Sequence, residues 1–498
     1  MAMKITREHI ILTIIFILVL GIRLALVLPA QGFSYEAYDS LRQAEHIKQT
    51  GTPLFKDELS YSGRTIIFPP LFYYILAGFS FIMPLELVGK LIPSLAFSSL
   101  VLIVYLIAKH LTKNRVAAIT AAFFAGFIPI LFTTLNQVSV YSFSLPLIFL
   151  LSYTFLRLEE KGFTALSITL TIILLLIHTS VLVLLISFLA YFLILIAGKQ
   201  EVSKKKVETA LFFFALALWF NLLLYKRAFF AHGITFIWQN IPAPLLSSYF
   251  SNISFFGVIY AVGAVTLLLG VYAIYHVFFK TKSSDTSLYM GFAIISFIML
   301  WLRLAPFRVG LMFLSINLII LSAYSIKMLL VSIAKTKTPH LANWAIIAII
   351  SLFILTTLTP FIVTARLDEN DRPSREDIQA LEWIRENTDD GSVVLGRVEE
   401  GFFINYAAQR KNIADNNFLL MPDVEQRYND ILHLYTLRLK SEAIRLLNEY
   451  DINYIFLSTR TMQEFNMTKL FYAEDDCFKL MYEQGALVYK FLAGCEIE

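Results

Sequence analysis

The chain has 498 residues, 57% hydrophobic and 16% charged, with a mean hydropathy of +0.67. Soluble domains carry about 25% charged residues, so the composition excludes an ordinary soluble enzyme and indicates a membrane protein with many spans. The net charge of +4 is small and scattered, which leaves no patch suited to nucleic acid.

The first apolar run, Ile10–Pro29, has the length of a membrane span and lacks a convincing small-residue cleavage site, so it is expected to be retained. It opens directly onto "GFSYEAYDSLRQAEHI" (32–47), which crowds Glu36, Asp39, Arg42, Glu45 and His46 among Tyr35 and Tyr38. In helical spacing Glu36 and Asp39 share a face, and Arg42 continues it. Taken alone, the stretch also reads as an amphipathic interfacial helix with its polar face in water. The same loop continues with "GTPLFKDELSYSGR" (51–64), which adds Asp57, Glu58 and Arg64. Arginine suits bidentate recognition of phosphate, and carboxylates plus arginine beside lipid suit a phosphorylated lipid substrate. The carboxylates have two possible uses: holding a divalent cation through hard oxygens, or taking a proton from an attacking hydroxyl.

The run 66–83, "IIFPPLFYYILAGFSFIM", is long enough to be considered a span. Further candidates are 86–108, 116–135, 141–156, 163–178, 180–198, 207–225, 254–279, 287–303, 308–327 and 341–364. Basic clusters at Lys4/Arg7, 109–115, 157–161, 199–206, 280–282 and 335–337 decide the topology, because cytoplasmic loops are rich in Lys and Arg. All six fall on one side only if 66–83 does not cross. Pro69-Pro70 also suits a helix starting against the membrane. The segment is therefore expected to be re-entrant or interfacial. Eleven crossings follow, with the N-terminus cytoplasmic and the C-terminus extracytoplasmic. Lys226 and Arg227, at an outer end, are the exception.

This places a polytopic α-helical membrane domain over 1–365, with its first outer loop at 31–85, and an extracytoplasmic α/β domain over 366–498. Its cytoplasmic loops are short and no GxxxxGK[ST] occurs, which argues against an ATP-driven pump. Further polar groups project to the outer side: Asn136 and Gln137, His178 with Thr179, and Arg303 and Arg308 flanking "LAPF". Ionisable groups at membrane depth are costly and often functional. For His178 a hydrogen-bonded interfacial role stands level with a site role. Arg308 reads as a phosphate contact in preference to a side chain snorkelling to the interface.

Composition changes near "TARLDENDRPSREDIQALEWIRENT" (364–388). Ser374 with Asp377 resembles a capping box opening a helix to about Asn387. Strands are expected at 392–396 and 452–458, with a helix at 441–451. Asn466 heads an N-x-[ST] sequon. The two cysteines, Cys477 and Cys495, flank a hairpin turning at Gln484-Gly485. A disulfide is favoured over free thiols, on condition that this end lies outside the cytosol.

At these residues the chain resembles the GT-C superfamily of membrane glycosyltransferases, which includes protein O-mannosyltransferases, lipid A aminoarabinose transferases and oligosaccharyltransferase catalytic subunits. "EAYDSLR" (36–42) parallels the oligosaccharyltransferase pattern D-x-Y-Y-H-L-R. "GR" with "FPPLFYY" parallels the segment closing the first outer loop. "RLAPFRVGLMFLSINLIILSAY" (303–324) parallels a late outer-loop arginine and its span. "ALEWIRENTDDGSVVLG" (380–396) with "AAQRKNIADNNF" (407–418) is similar to the start of the archaeal outer domain. The resemblance implies an inverting transferase that moves a sugar from a polyprenyl-phosphate donor in the bilayer to a protein or glycan acceptor at the extracytoplasmic face. It puts Glu36 at the catalytic or metal-binding position, with Asp39 beside it and a divalent cation, Mn or Mg, as the implied cofactor. Arg42, Arg64, His178, Arg303 and Arg308 are the implied substrate-binding residues.

The departures are specific. Glu36 replaces an aspartate, Asp39 stands at the second Tyr and Ser40 at the His. The second outer loop reads "TLNQVSVYS", with Asn136 and Gln137 where oligosaccharyltransferases carry an acidic pair. "GRVEEGFFINY" (396–406) stands where the acceptor motif WWDYG is expected. These changes favour resemblance to the metal-independent, mannosyltransferase-like branch or to an archaeal-type member of its own kind, and the missing acceptor motif argues against sequon-directed oligosaccharyl transfer. Two rival readings remain: a lipid-linked-sugar transporter, against which the lack of internal repeats speaks, and a non-catalytic assembly factor on a transferase scaffold.

Overall fold

The computed structural model describes residues 6–179, 181–250, 254–281, 283–473, 477–492 and 495. The first helix, α1 (Arg7–Val27), has 21 residues and reaches about 30 Å, the thickness of the bilayer hydrocarbon. The chain then turns into the amphipathic α2 (Ala37–Thr50), which ends at Gly51 with a φ of 78°, a left-handed conformation that glycine adopts without penalty. A short antiparallel pair, β1 (Lys56–Asp57) and β2 (Arg64–Thr65), closes the next turn. The helix inside 66–83 is α3 (Leu71–Ser80); its 10 residues rise about 15 Å, half of what a crossing needs. Pro70 caps its start, because a missing N–H costs nothing at the first turn of a helix.

The bundle continues with α4 (Leu85–Ser98) and α5 (Leu100–Thr112), which run together as a 28-residue apolar helix. Next come α6 (Arg115–Phe127), α7 (Tyr141–Leu156), α8 (Phe163–Ile177), α9 (Val181–Ala197), α10 (Lys204–His232), α11 (Ala243–Phe250), α12 (Phe255–Val262) and α13 (Ala264–His276). The last three of the bundle are α14 (Ser284–Trp301), α15 (Phe307–Ala334) and α16 (Leu341–Asn370). Among the described residues, 7 helical runs are long and apolar enough to cross a membrane, and α6 to α9 are shorter apolar helices. Helix α15 is the centre of this assembly. Every residue from Gly310 to Ile326 is buried, against α5, α6, α13 and α14. Its outer end therefore starts from a fixed point, and that end carries Arg308.

After α16, the capping box of Ser374 and Asp377 opens α17 (Arg375–Asn387), as its sequence predicts. The remaining elements are β3 (Val393–Leu395), α18 (Gly401–Phe403), β4 (Lys411–Asn412), α19 (Val424–Thr436), α20 (Lys440–Glu449), β5 (Tyr454–Leu457), α21 (Thr459–Glu464), β6 (Phe478–Gln484) and β7 (Ala486–Phe491). The five strands from β3 on form a mixed sheet in the order β4-β3-β5-β7-β6, parallel among the first three and antiparallel at the hairpin side. Cys477 and Cys495 are joined in a disulfide across that hairpin, with Cα atoms 5.7 Å apart.

One face of the sheet buries its own helices. The other shares a core with the first outer loop: Phe33, Tyr35, Tyr38 and Leu41 pack together with Leu381, Phe403, Phe456 and Val488. This shared core fixes the mouth of α1 against the sheet domain.

Candidate functional site

The stretch that leads into α2 is held on both sides. The Ser34 amide N–H donates to the carbonyl of Asn136 at 3.1 Å, tying the first outer loop to the second. Tyr35 and Tyr38 pack their rings on Phe403 from the sheet side, at 5.8 and 4.8 Å. Glu36, between these two tyrosines, is the N-cap residue of α2. Its side chain is open to solvent, with much of the protein close around it, as in a cleft.

Two charges reach it there. Arg308, the second residue of α15, faces it from the membrane domain, and Asp371 faces it from the end of α16. Enclosure pushes the Glu36 carboxyl above the ordinary range; the Arg308 guanidinium opposes that rise and the Asp371 carboxylate adds to it. Asp371 accepts from Arg460 at 2.9 Å, and Arg460 lies over the ring of Tyr35 at 5.4 Å. Tyr141, the first residue of α7, lies within electrostatic reach of Glu36 and packs its ring edge-on against His178 at 4.9 Å. An apolar pocket adjoins this cluster, lined by Tyr141, Ser144, Ala305, Val309, Gly310 and Phe313 among others. It begins one residue past Arg308. A negatively charged headgroup at Arg308 would thus have an apolar slot beside it for its chain.

Asp39, Arg42 and Arg64 lie elsewhere. The charges around Asp39 are Asp415, Arg42, Arg64 and Asp57, and burial with Asp415 pushes its carboxyl up to about 7. Glu36 keeps helical backbone as the N-cap of α2, three residues ahead of Asp39, but the charges that act on it differ from those that act on Asp39. Arg42 donates two hydrogen bonds to Asp57, both 2.6 Å. Arg64 pairs with Asp415 at 2.7 Å and also donates to the carbonyl of Asn417. Tyr61 and Ser60 add hydrogen bonds to Asn412 and Asp415, at 2.7 and 2.5 Å. These residues form a seam between the first outer loop and the sheet domain. Arg303 is exposed, and its carbonyl accepts from the Trp238 indole at 3.3 Å; it is not among the charges acting on Glu36.

The stretch 397–400 turns inward. Glu400 accepts from Thr461 at 3.1 Å, from the Arg397 amide at 3.0 Å and from Ser458, and burial pushes its carboxyl up to about 7. Arg397 pairs with Glu399 at 3.1 Å and with Glu464.

A divalent cation fits these residues poorly. Hard cations take several oxygen ligands, with carboxylates supplying most of the charge. The charges that act on Glu36 are a guanidinium, Arg308, and one carboxylate, Asp371, already paired with Arg460. Among the described residues, no group of three His, Cys, Asp or Glu side chains is set to hold a metal.

Neither protein-family models nor curated sequences match the chain. Solved structures do. The oligosaccharyltransferase of Archaeoglobus fulgidus superposes with a TM-score of 0.72 at 15% identity, over 95% of this chain and 72% of that one. ArnT from Cupriavidus metallidurans, bound to undecaprenyl phosphate, does so with 0.58 at 10% identity, over 97% and 98%. The mycobacterial arabinofuranosyltransferase AftD gives 0.54 at 12% identity, over 96% of this chain and 40% of that one. The chain has the GT-C fold. Asp371, Arg460 and Tyr141 are the residues around Glu36 that the sequence did not single out. Asp371 sits in the charged run "LDENDRPS", where many carboxylates compete for attention. Tyr141, four residues past Gln137, is the more legible of the two.

Proposed function

We propose that the protein is an inverting membrane glycosyltransferase that takes its sugar from a polyprenyl-phosphate-linked donor and passes it to an acceptor at the extracytoplasmic face. The observation that supports this reading is that Arg308 and Glu36, contributed by elements 272 residues apart in the chain, lie solvent-exposed within electrostatic reach of each other, beside an apolar pocket that Val309 lines. A phosphate held by a guanidinium, with a carboxylate close by, is what transfer from a lipid phosphate needs. Arg308 holds the donor phosphate and the pocket past Val309 takes the first part of the lipid. Glu36 removes the proton from the acceptor hydroxyl as that oxygen attacks the anomeric carbon from the face opposite the phosphate. A carboxyl held above its ordinary range is a better base for this step than a solvated one.

Neighbours with this fold support the donor class: the archaeal oligosaccharyltransferase AglB has been seen in complex with a dolichol-phosphate, and ArnT with undecaprenyl phosphate. We place the N-terminus in the cytoplasm, with eleven crossings and the sheet domain outside. This topology agrees with the basic-loop pattern and with a disulfide at the C-terminal end. The test is transfer of radiolabel from polyprenyl-phosphate sugars to membrane proteins and glycans by the purified chain. Label that moves only with Glu36 intact is the expected result. Donors that are carried across vesicles without any transfer would overturn the reading in favour of a transporter.

A further inference from the structure

The sheet domain carries a sequon, Asn466-Met467-Thr468, that the site around Glu36 does not use. We propose that Asn466 is a modification site, whose side-chain amide carries an N-linked glycan attached by a sequon-directed oligosaccharyltransferase other than this chain. This depends on the sheet domain lying outside the cytoplasm, as proposed above, and not on the chemistry at Glu36.

The end of α21 sets the three sequon residues in different directions. The Asn466 N–H donates to the Gln463 carbonyl at 3.3 Å and the Met467 N–H to the Met462 carbonyl at 2.9 Å, the two bonds of a left-handed helix stop. Asn466 takes the left-handed position of that stop, with a φ of 50°, where glycine is commonest and asparagine follows it. Met467 is 6% exposed and belongs to the core of the sheet domain, and Met462 packs against the same cluster. With Met467 anchored inward, Asn466 and Thr468 on either side of it are exposed. Among the described residues, neither of these two side chains has a hydrogen-bond partner. The helix stop accounts for an asparagine at 466. It does not account for the threonine two residues on, whose hydroxyl serves no contact in the fold. Glycosylation requires both, the amide as acceptor and the hydroxyl at the third position.

The surroundings suit the modification. Residues 465–473 form turns and bends without helix or strand, so an enzyme's groove can take up this backbone without breaking a ladder of hydrogen bonds. Cys477, in the same connection from α21 to β6, is joined to Cys495. A disulfide marks a segment outside the reducing cytosol, and sequon glycosylation belongs to proteins on that side. Arg460, which reaches Asp371 and Tyr35, lies at the opposite end of α21. A glycan at Asn466 starts roughly 9 Å along the helix from that contact, which leaves the cleft at Glu36 open. In the step, a bond forms between the Asn466 amide nitrogen and the anomeric carbon of a lipid-linked oligosaccharide. The bond from that carbon to the phosphate oxygen breaks, and its electron pair stays on the lipid phosphate. The amide nitrogen gives one of its two protons to a base of the transferase. The stretch 396–406 of this chain lacks the acceptor motif for such a step, so the enzyme is another one.

The test takes the full chain from the membranes of cells that N-glycosylate their proteins and reads the peptide spanning Asn466 by mass spectrometry. That peptide should carry the mass of a glycan, placed on Asn466 by fragmentation. Thr468→Ser should keep the glycan, and Thr468→Ala, with the asparagine still present, should lose it. Asn466→Gly should lose it too, with a Tm no lower than that of Thr468→Ala, because glycine suits the left-handed position at least as well. A bare Asn466 in the natural chain, or a glycan that survives Thr468→Ala, would overturn the proposal. A second arm separates this outcome from a wrong topology. Among the described residues no cysteine is free, so Glu382→Cys, at an exposed position of α17, adds a thiol for a membrane-impermeant maleimide. The thiol should be labelled in sealed vesicles that present their outer face. Labelling together with a bare Asn466 removes the glycan and leaves the topology. Labelling that requires permeabilised vesicles puts the sheet domain on the inner side and removes both.

Discussion

Glu36 and Asp39 belong to the same turn of chain, yet their surroundings differ in kind. Around Asp39 every charge has a direct partner: Arg42 holds Asp57, Arg64 holds Asp415, and Ser60 and Tyr61 close the remaining contacts. Around Glu36 the opposing charge, Arg308, is in electrostatic reach, and both side chains are open to solvent. Buried charges that are fully paired weld one part of a protein to another. Opposite charges kept apart in a cleft hold room for something to come between them. The seam is thus read as structure and the cleft as chemistry. The difference lies in partnering, since both regions contain the same residue types.

The largest effect that could break this comparison is on transfer. Glu36→Gln keeps the shape and removes the base. Transfer is expected to fall by roughly a hundred- to ten-thousandfold, the usual contribution of a positioned base, with the Tm no lower than that of the natural chain. A variant that still transfers at the natural rate would take the chemistry away from this cleft. Asp415→Ala should do the reverse. It leaves the Arg64 guanidinium buried without its carboxylate, which costs about 3–5 kcal/mol. The Tm should drop sharply, while activity per folded molecule stays the same. Changing Arg64 and Asp415 together to apolar residues of similar volume should cost less than Asp415→Ala alone.

Much of this architecture can be read in the sequence, because a bilayer imposes a simple code of apolar length and basic loops. That code finds the apolar helices α1, α4 to α10 and α12 to α16, does not foresee α11, and sets 66–83 apart as non-crossing before α3 is seen to be short. The capping box at Ser374 and the hairpin at Gly485 are equally local signals. The site is only half legible. Glu36 and Arg308 stand out as charges at the mouths of spans. Arg42, Arg64 and Asp39 stand out for the same reason, and local sequence does not show that their partners lie in the sheet domain hundreds of residues later. Asp371 and Arg460 come from two segments that meet only in three dimensions. Pairing over such distances is a property of the fold, and helical spacing cannot supply it.

A sharper form of the comparison substitutes the same residue type in both regions. Arg308→Lys keeps the positive charge and loses the planar fork. Transfer should fall about ten- to a hundredfold, the size of a charge-assisted hydrogen bond, with stability untouched. Arg64→Lys in the seam should lower the Tm and leave the rate per folded molecule as it was. Opposite outcomes, a stability loss at 308 and a rate loss at 64, would exchange the roles assigned to the two regions.

The smallest effect is on pH dependence and isolates Asp39. Its carboxyl is held at about 7 in the folded chain, against an ordinary value of 3.8, because burial beside Asp415 outweighs the pull of Arg42 and Arg64. Between those two values the folded chain binds a proton that the unfolded chain releases. The stability this proton brings is fully present below pH 3.8, declines as pH rises, and is gone above about 7. Asp39→Asn mimics the protonated form at every pH. The variant should match the natural chain in acid, melt higher than it above pH 7, and show a flatter Tm between pH 4 and 7 in thermal scans. Its transfer rate should hold, since the charges acting on Glu36 are Arg308 and Asp371. If the rate instead followed the charge at position 39, the seam and the cleft would be one electrostatic unit, and the division between structure and chemistry would have to be drawn around both.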